Sequence, residues 1–417
     1  MEGSTDRSRL WTAGLLAAPL GVMLVVVAMT EGPAFTGITS DLRVYFEYSA
    51  RLLGGAVPYR DFPLEYPPLA LVPMTLPRLL WPFGAPSDDV LVLLFALIEG
   101  CLAVAVGWLI GRISPDRLQG IATWAALVLL AGGSIAWRYD LWPAATVLIA
   151  FAAVGRGRPG LAGVALGVGT MLKLFPLVVL PILAARALAL RDWAGLARLV
   201  GGAAVIVGAV MSVSFIAAGS NSLHWVTYEI DRGLQLESTG SGALLLLHVL
   251  TGRPYALVHA FGTLQVIAPG ADAIVAATPV VELAVLAVVG VVALLRFRRD
   301  AATQGSIHRT TAALAIVAVL VALIVSSKVF SAQYTLWFLP LVPFLPGRLR
   351  WMGLAIAGLS TLIYPLNYAG LWQLDPPMAV VLNVRNALLI GFLAWLLVRL
   401  AGRSSQPDEG RFHKLST

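Results

Sequence analysis

Cysteine is nearly missing from this chain. The single residue, Cys101, sits inside an apolar run, so no intramolecular disulfide can form and thiol redox chemistry is not expected. Lysine is almost as scarce, with three residues, Lys173, Lys328 and Lys414. The five histidines are scattered without His-x-x-x-His spacing, so no metal cluster is legible and none is expected. Charged residues make up only 12% of the chain, against 59% hydrophobic residues and a mean hydropathy of +0.84, which excludes a soluble protein. What the sequence does have is a series of apolar runs of about 20 residues, the length that crosses a bilayer as a helix. The net charge of +7 would suggest nucleic acid in a soluble chain. Here it reflects Arg-rich loops, and no nucleic-acid partner is expected.

The pattern therefore predicts an all-α polytopic membrane protein. A short polar tail with Arg7 and Arg9 precedes the apolar run Trp11 to Met29, which is long for a signal sequence and reads as a retained first span. Residues 31-88 then form a first external loop. Placing Arg112/Arg117, Arg156/Arg158, Arg186/Arg191/Arg198, Arg296/Arg298/Arg299/Arg309 and Arg348/Arg350 inside gives spans near 89-111, 119-137, 141-155, 160-173, 176-190 and 195-218. A second external region, 219-274, separates these from spans near 275-296, 310-327, 333-347, 351-368 and 379-400. The total is about 12 crossings with both termini cytoplasmic. Residues 1-400 then form one transmembrane domain and 401-417 a cytoplasmic tail. The pair meeting at Lys173-Leu174-Phe175-Pro176 reads equally as a broken helix that crosses only in part.

The most polar stretch lies just after the first span. Between Ser40 and Pro68, Asp41, Arg43, Glu47, Arg51, Arg60, Asp61 and Glu65 alternate with Tyr45, Phe46, Tyr59, Phe62 and Tyr66. Leu42, Tyr45, Phe46, Ser49, Leu52 and Leu53 share one helical face, so an amphipathic helix on the membrane surface is predicted, with Ser40 as its N-cap and Gly54-Gly55 as its stop. Asp41 falls in the first turn, where the helix dipole favours a carboxylate.

Several cations fall on the far side from the Arg-rich loops, among them Arg138, Lys173, Arg232, Lys328 and Arg385. Positive charge at span ends on that side needs an anionic partner. Arg138-Tyr139-Asp140, Lys173-Leu174-Phe175-Pro176 and Ser326 to Tyr334 are helix ends that converge at one depth around Asp41. A carboxylate facing cations at a membrane boundary suits a lipid-linked phosphate: the cations neutralise the leaving group and the carboxylate takes a proton from an attacking hydroxyl.

The motifs Gly54-Gly55-Ala56-Val57-Pro58-Tyr59-Arg60-Asp61-Phe62, Glu65-Tyr66-Pro67-Pro68-Leu69, Arg138-Tyr139-Asp140-Leu141-Trp142-Pro143, Lys173-Leu174-Phe175-Pro176 and Lys328-Val329-Phe330-Ser331-Ala332-Gln333-Tyr334, together with Asp41, resemble those of glycosyltransferase family 87 of the GT-C superfamily. The resemblance implies a GT-C-like helical bundle and a polyprenyl-phosphate-mannose-dependent mannosyltransferase. It is similar to the actinobacterial enzymes that extend phosphatidylinositol mannosides and lipoglycans. It further implies an inverting, metal-independent transfer on the outer face of the plasma membrane, to a glycolipid or cell-envelope glycan. The lipid-linked sugar phosphate acts as co-substrate and the Asp at the start of the first external loop, here Asp41, as general base. Where the family commonly carries Ser-Pro-Gln-Tyr, this chain has Ser331-Ala332-Gln333-Tyr334.

On this reading Arg138, Lys173 and Lys328 hold the donor phosphate, and Tyr45, Tyr59, Arg60, Glu65, Tyr66, Asp140, Gln333 and Tyr334 line the substrate site. Each has a structural alternative. Asp41 also fits a helix cap or a partner for an external Arg; Lys173 and Lys328 fit snorkelling side chains; Arg138 and Asp140 fit an ion pair; the tyrosines fit an interfacial aromatic belt. Glu99, inside a span, fits packing against Trp108 or a Ser/Thr partner. A secondary transporter or lipid flippase would also carry a dozen spans and buried charge, but the two halves of this chain show no repeat.

Overall fold

The computed structural model describes residues 2–29, 40–81 and 83–402. The expected Ser40 side-chain cap, the charges of Arg7 and Arg9, residues 31–39 and the tail 403–417 lie outside the described side chains or residues. The described chain is a helical bundle: α1 (Glu2–Met29), α2 (Ser40–Leu53), α3 (Leu71–Leu79), α4 (Asp88–Ile113), α5 (Arg117–Trp137), α6 (Leu141–Gly155), α7 (Pro159–Leu172), α8 (Val179–Ala189), α9 (Trp193–Ala218), α10 (His224–Asp231), α11 (Thr239–Thr251), α12 (Ala271–Gln304), α13 (Arg309–Ser326), α14 (Gly347–Thr361), α15 (Tyr368–Trp372) and α16 (Pro376–Ala401). Among the described residues eight helices are long and apolar enough to cross a membrane, and shorter apolar helices accompany them. The protein is an all-α polytopic membrane protein.

Local chemistry sets the helix ends. Ser87, Asp116, Asp192 and Ser238 accept from the backbone N–H groups of Val90, Gln119, Gly195 and Ser241, satisfying donors that the first turn leaves free. Gly252 and Gly305 close α11 and α12 at φ 70° and 66°, a left-handed backbone that a side chain would strain. α2 starts and stops at the expected residues, with Asp41 in its first turn and Leu42, Tyr45, Phe46 and Ser49 buried.

At Lys173 the chain does break. α7 ends at Leu172, Pro176 lies in a 3-10 turn spanning Phe175–Val178, and α8 follows. The segment 333-347, expected as a span, is not an α-helix. It folds as the 3-10 turns Ala332–Trp337 and Leu339–Phe344 in the buried interior. Pro340, Pro343 and Pro346 remove the N–H donors an α-helix would need there, and irregular backbone at membrane depth persists only where protein covers it. The region 219-274 holds α10, the apolar α11 and an antiparallel hairpin, β1 (Ala256–Ala260) and β2 (Thr263–Ile267). The chain at Leu234 and Leu236 bonds to β2 as well.

The interior is centred on α13, buried from Thr311 to Ile324 on almost every side, and on the inner halves of α5 and α6. Glycines bring α7 and α9 into backbone contact: a Cβ on Gly163 would collide with the Leu199 carbonyl, and one on Gly202 would stand 2.6 Å from the Gly160 oxygen. Close approach through small residues is the usual way apolar helices associate in lipid, where burial alone supplies little drive. Glu99 is buried in α4 and accepts from the Trp142 indole at 2.7 Å, so its partner is Trp142 and not Trp108.

Candidate active site

Four chain segments meet where α2, the α5–α6 connection, the α7–α8 break and the chain after α13 come together. Asp41 in α2 forms an ion pair with Arg138, Oδ2 to Nε 2.9 Å. The Asp41 side chain is 30% exposed and the Arg138 side chain only 8%, so the carboxylate reaches solvent while its partner lies behind it. Arg138 also donates to the Trp137 carbonyl at 2.9 Å and stacks on Tyr364 at 5.1 Å. Trp137 closes α5, which places Arg138 in the extended connection to α6 and turns it toward α2.

A second pair lies beside the first. Asp140 is fully buried at the start of α6, and its Oδ1 accepts from Lys173 Nζ at 2.8 Å and from the Trp337 indole at 2.8 Å. The ammonium of Lys173 stands 5.1 Å from the Tyr334 ring centre, 5.4 Å from that of Tyr139 and 6.0 Å from that of Trp337. These rings are stacked in turn: Tyr334 on Trp337 at 4.1 Å, and Trp337 on Phe175 at 4.3 Å. Aromatic faces attract a cation, so Lys173 is held by charge, hydrogen bond and ring quadrupoles together. The floor is an aromatic triangle of Tyr45, Tyr66 and Tyr139, with ring centres 5.5 to 6.0 Å apart.

These groups border a cavity of about 660 Å³. Asp41, Glu65, Tyr66, Lys173, Gln333, Tyr334 and Trp337 line it, together with the cations Arg232 and Lys328 and the carboxylates Glu229 and Glu282. Burial pushes the Glu65 carboxyl up, with the Asp41 charge adding and hydrogen bonds from Tyr228 and Tyr66 opposing. Burial also lowers the Lys328 amine, whose Nζ donates to the Ile230 carbonyl at 2.7 Å. The hairpin tip, with Phe261 against Tyr228, overhangs the same space. Leu174, Leu177 and Val178 from the α7–α8 break and Leu323 and Ile324 from the end of α13 give it an apolar part.

Of the residues singled out in the sequence, Asp41, Glu65, Tyr66, Lys173, Lys328, Gln333 and Tyr334 share this cavity. Tyr45 and Asp140 are buried beneath it, and Arg138 supports Asp41 instead of lining the space. Tyr59 and Arg60 lie outside it, in a neighbouring pocket. Arg232, a cation to which the sequence alone assigns no role, also lines the cavity. It is 7% exposed, its NH1 bonds Glu229 at 3.0 Å, and its Nε has no hydrogen-bond partner among the described residues. A lone Arg in the long stretch between Arg198 and Arg253 is the sequence signal that marks it. Trp225, Tyr228 and Glu229, one and two turns earlier on α10, line the same cavity.

Membrane-length apolar helices closing around one charged, aromatic chamber define a polytopic membrane protein with a solvent-reaching internal site. Its particular family is shown by a match of residues 64–327 to the family model described as glycosyltransferase family 87, and the chain belongs to that family. It is therefore a membrane glycosyltransferase, with a sugar donor, an acceptor and a bilayer as its partners. No curated protein and no solved structure matches the chain. The matched residues include Glu65, Arg138, Asp140, Lys173 and Arg232, whereas Asp41, Lys328, Gln333 and Tyr334 lie beyond its ends.

Proposed function

We propose that the protein moves a sugar, mannose, from a polyprenyl-phosphate donor to a glycolipid or cell-envelope glycan on the outer face of the plasma membrane. The observation that carries this reading is the placement of Asp41, a carboxylate that reaches solvent, in a cavity also lined by Lys173, Arg232 and Lys328. Asp41 takes the proton of an acceptor hydroxyl; that oxygen attacks the anomeric carbon from the face opposite the phosphate; the C–O bond to phosphate breaks and the configuration inverts. The polyprenyl phosphate leaves with its charge against Lys173, Arg232 and Lys328. The apolar lining of Leu174, Leu177, Val178, Leu323 and Ile324 suits the isoprenoid chain.

Asp41 and Glu65, two of the four carboxyls that line the cavity, divide the work. Asp41 is the anionic partner of Arg138 and serves as base, while Glu65, whose carboxyl burial pushes up, hydrogen-bonds the acceptor. Gln333 and Tyr334 face the donor sugar. Arg138 orients Asp41, and Asp140 orients Lys173. In this reading the positive-inside rule puts the Arg-rich loops, and with them both termini, on the cytoplasmic side.

Membranes carrying the protein are expected to consume polyprenyl-phospho-mannose when a mannosylated lipid is supplied, releasing polyprenyl phosphate and lengthening the acceptor by one sugar. Protein-dependent movement of the intact donor between leaflets, without its consumption, would contradict the transferase reading.

A further inference from the structure

Cations alone would serve to hold a phosphate, yet this cavity is lined by carboxylates as well. Lys173, Arg232 and Lys328 share it with Asp41, Glu65, Glu229 and Glu282. Two of these charges are matched from outside the lining, Asp41 by Arg138 and Lys173 by Asp140. That leaves Arg232 and Lys328 to meet a phosphate, with Glu229 and Glu282 lining the same space. We propose that Glu229 and Glu282 cancel the extra attraction of a doubly charged phosphomonoester, the product, so that it does not outbind the singly charged phosphodiester donor and leaves after transfer. The proposal rests on the transferase reading and adds a means of clearing the used lipid phosphate.

The helix sets Glu229 on Arg232. The two stand three residues apart at the end of α10, and Arg232 NH1 reaches the carboxylate at 3.0 Å. The Arg232 side chain is 8% exposed and that of Glu229 43%, so the carboxylate stays hydrated while its cation is held within the protein. This pair does not saturate Arg232, whose Nε has no hydrogen-bond partner among the described residues. A phosphate drawn to the guanidinium therefore shares it with a fixed anion. Lys328 is placed in the same way. Its Nζ donates to the Ile230 carbonyl, and burial lowers the amine, with the charges of Glu229, Asp231 and Glu282 opposing and that of Arg232 adding. Of these carboxylates Asp231 is exposed and off the cavity lining, whereas Glu282 reaches the cavity from α12.

Charge is what separates the two lipids. A diester carries one negative charge, whereas a monoester carries about two at neutral pH, because its second pKa is about 6. Their isoprenoid chains meet the same apolar lining, so hydrocarbon contact does not tell donor from product. Attraction to a fixed cation scales with the charge of the ligand, and a purely cationic site would hold the product more tightly than the donor. Repulsion from a fixed carboxylate scales in the same way and removes that advantage. Each carboxylate is expected to weaken the diester about threefold and the monoester about tenfold, the second factor being roughly the square of the first.

Citronellyl phosphate, a monoester, and citronellyl methyl phosphate, a diester, test this by titration at about pH 7.5 into the purified full chain in phosphatidylcholine vesicles. The quantity read is the ratio of monoester to diester affinity. Glu229→Gln and Glu282→Gln, which keep the shape of the side chain, are each expected to raise that ratio about threefold, tightening the monoester about tenfold and the diester about threefold. Asp231→Asn removes a carboxylate from the same helix but off the cavity, and should leave the ratio at its wild-type value. A ratio that either Gln substitution leaves unmoved, or that Asp231→Asn moves equally, overturns the proposal. In turnover, the Glu229→Gln enzyme should be inhibited by polyprenyl phosphate at about tenfold lower concentration, with kcat lowered because product leaves more slowly. Inhibition no tighter than in wild type overturns the proposal too. A moved ratio without sugar transfer sinks the transferase reading alone, and sugar transfer with an unmoved ratio sinks this proposal alone.

Discussion

Asp41→Asn is expected to lower sugar transfer by about two to four orders of magnitude, the usual worth of a positioned general base, while the protein still accumulates in membranes. Asn preserves the shape of the side chain and removes only its basicity and charge. The charge loss has a structural side, because Arg138 then lacks its anionic partner at 2.9 Å. That loss is limited, since Arg138 keeps the Trp137 carbonyl and the Tyr364 ring and Asp41 already reaches water. A destabilisation of about 1–3 kcal/mol is expected, too little to unfold the bundle and visible as a lowered unfolding temperature in detergent. Transfer rate and unfolding temperature measured on one preparation separate the two effects.

Asp140→Asn should have the largest effect on stability. Oδ1 of this fully buried carboxylate carries both the Lys173 ammonium and the Trp337 indole. Removing one member of a buried ion pair costs about 3–5 kcal/mol, because the other charge stays desolvated. Lys173 reaches the cavity and has aromatic faces around it, so the lower end of that range applies. Transfer should fall as well, since the ammonium loses its anchor. The double variant Asp140→Asn, Lys173→Met removes both charges, and thermal unfolding should return most of the lost stability. Activity should not return, because the cation meant for the phosphate is gone. Recovery of both would show that the pair serves folding alone.

The parts of this arrangement that were legible in the sequence are the local ones. The period of Leu42, Tyr45, Phe46 and Ser49 and the stop at Gly54-Gly55 give α2 and put Asp41 in its first turn, because capping and amphipathicity act within a few residues. Pro176 marks the break after Lys173 for the same reason. Placing Asp41, Lys173 and Lys328 in one cavity follows from cations at span ends that need a counter-ion. That Asp41 pairs with an external Arg is legible, but which cation goes to which carboxylate is not: Arg138 turns to Asp41 and not to Asp140, and Lys173 takes Asp140, because of how α2, α6 and the α7–α8 break pack, and charge counting cannot sort partners so far apart in sequence. Trp337 became a ligand of Asp140 only because the stretch from Ala332 folds as 3-10 turns where hydropathy indicates a span. The prolines at 340, 343 and 346 were the available signal. The β1–β2 hairpin is not legible because its strands are only five residues long and neither alternates, β1 being mostly exposed and β2 mostly covered.

The most direct test of a single displacement with Asp41 as base is the anomeric configuration of the product, read by NMR after wild-type enzyme has transferred mannose from a polyprenyl-phospho-mannose of defined configuration to an octyl mannoside. Inversion at the transferred sugar, with polyprenyl phosphate released in equal amount, is the predicted result. Retention of the donor's configuration would contradict it, since retention requires either a covalent sugar intermediate or attack from the phosphate's own face, and neither leaves Asp41 the role assigned to it.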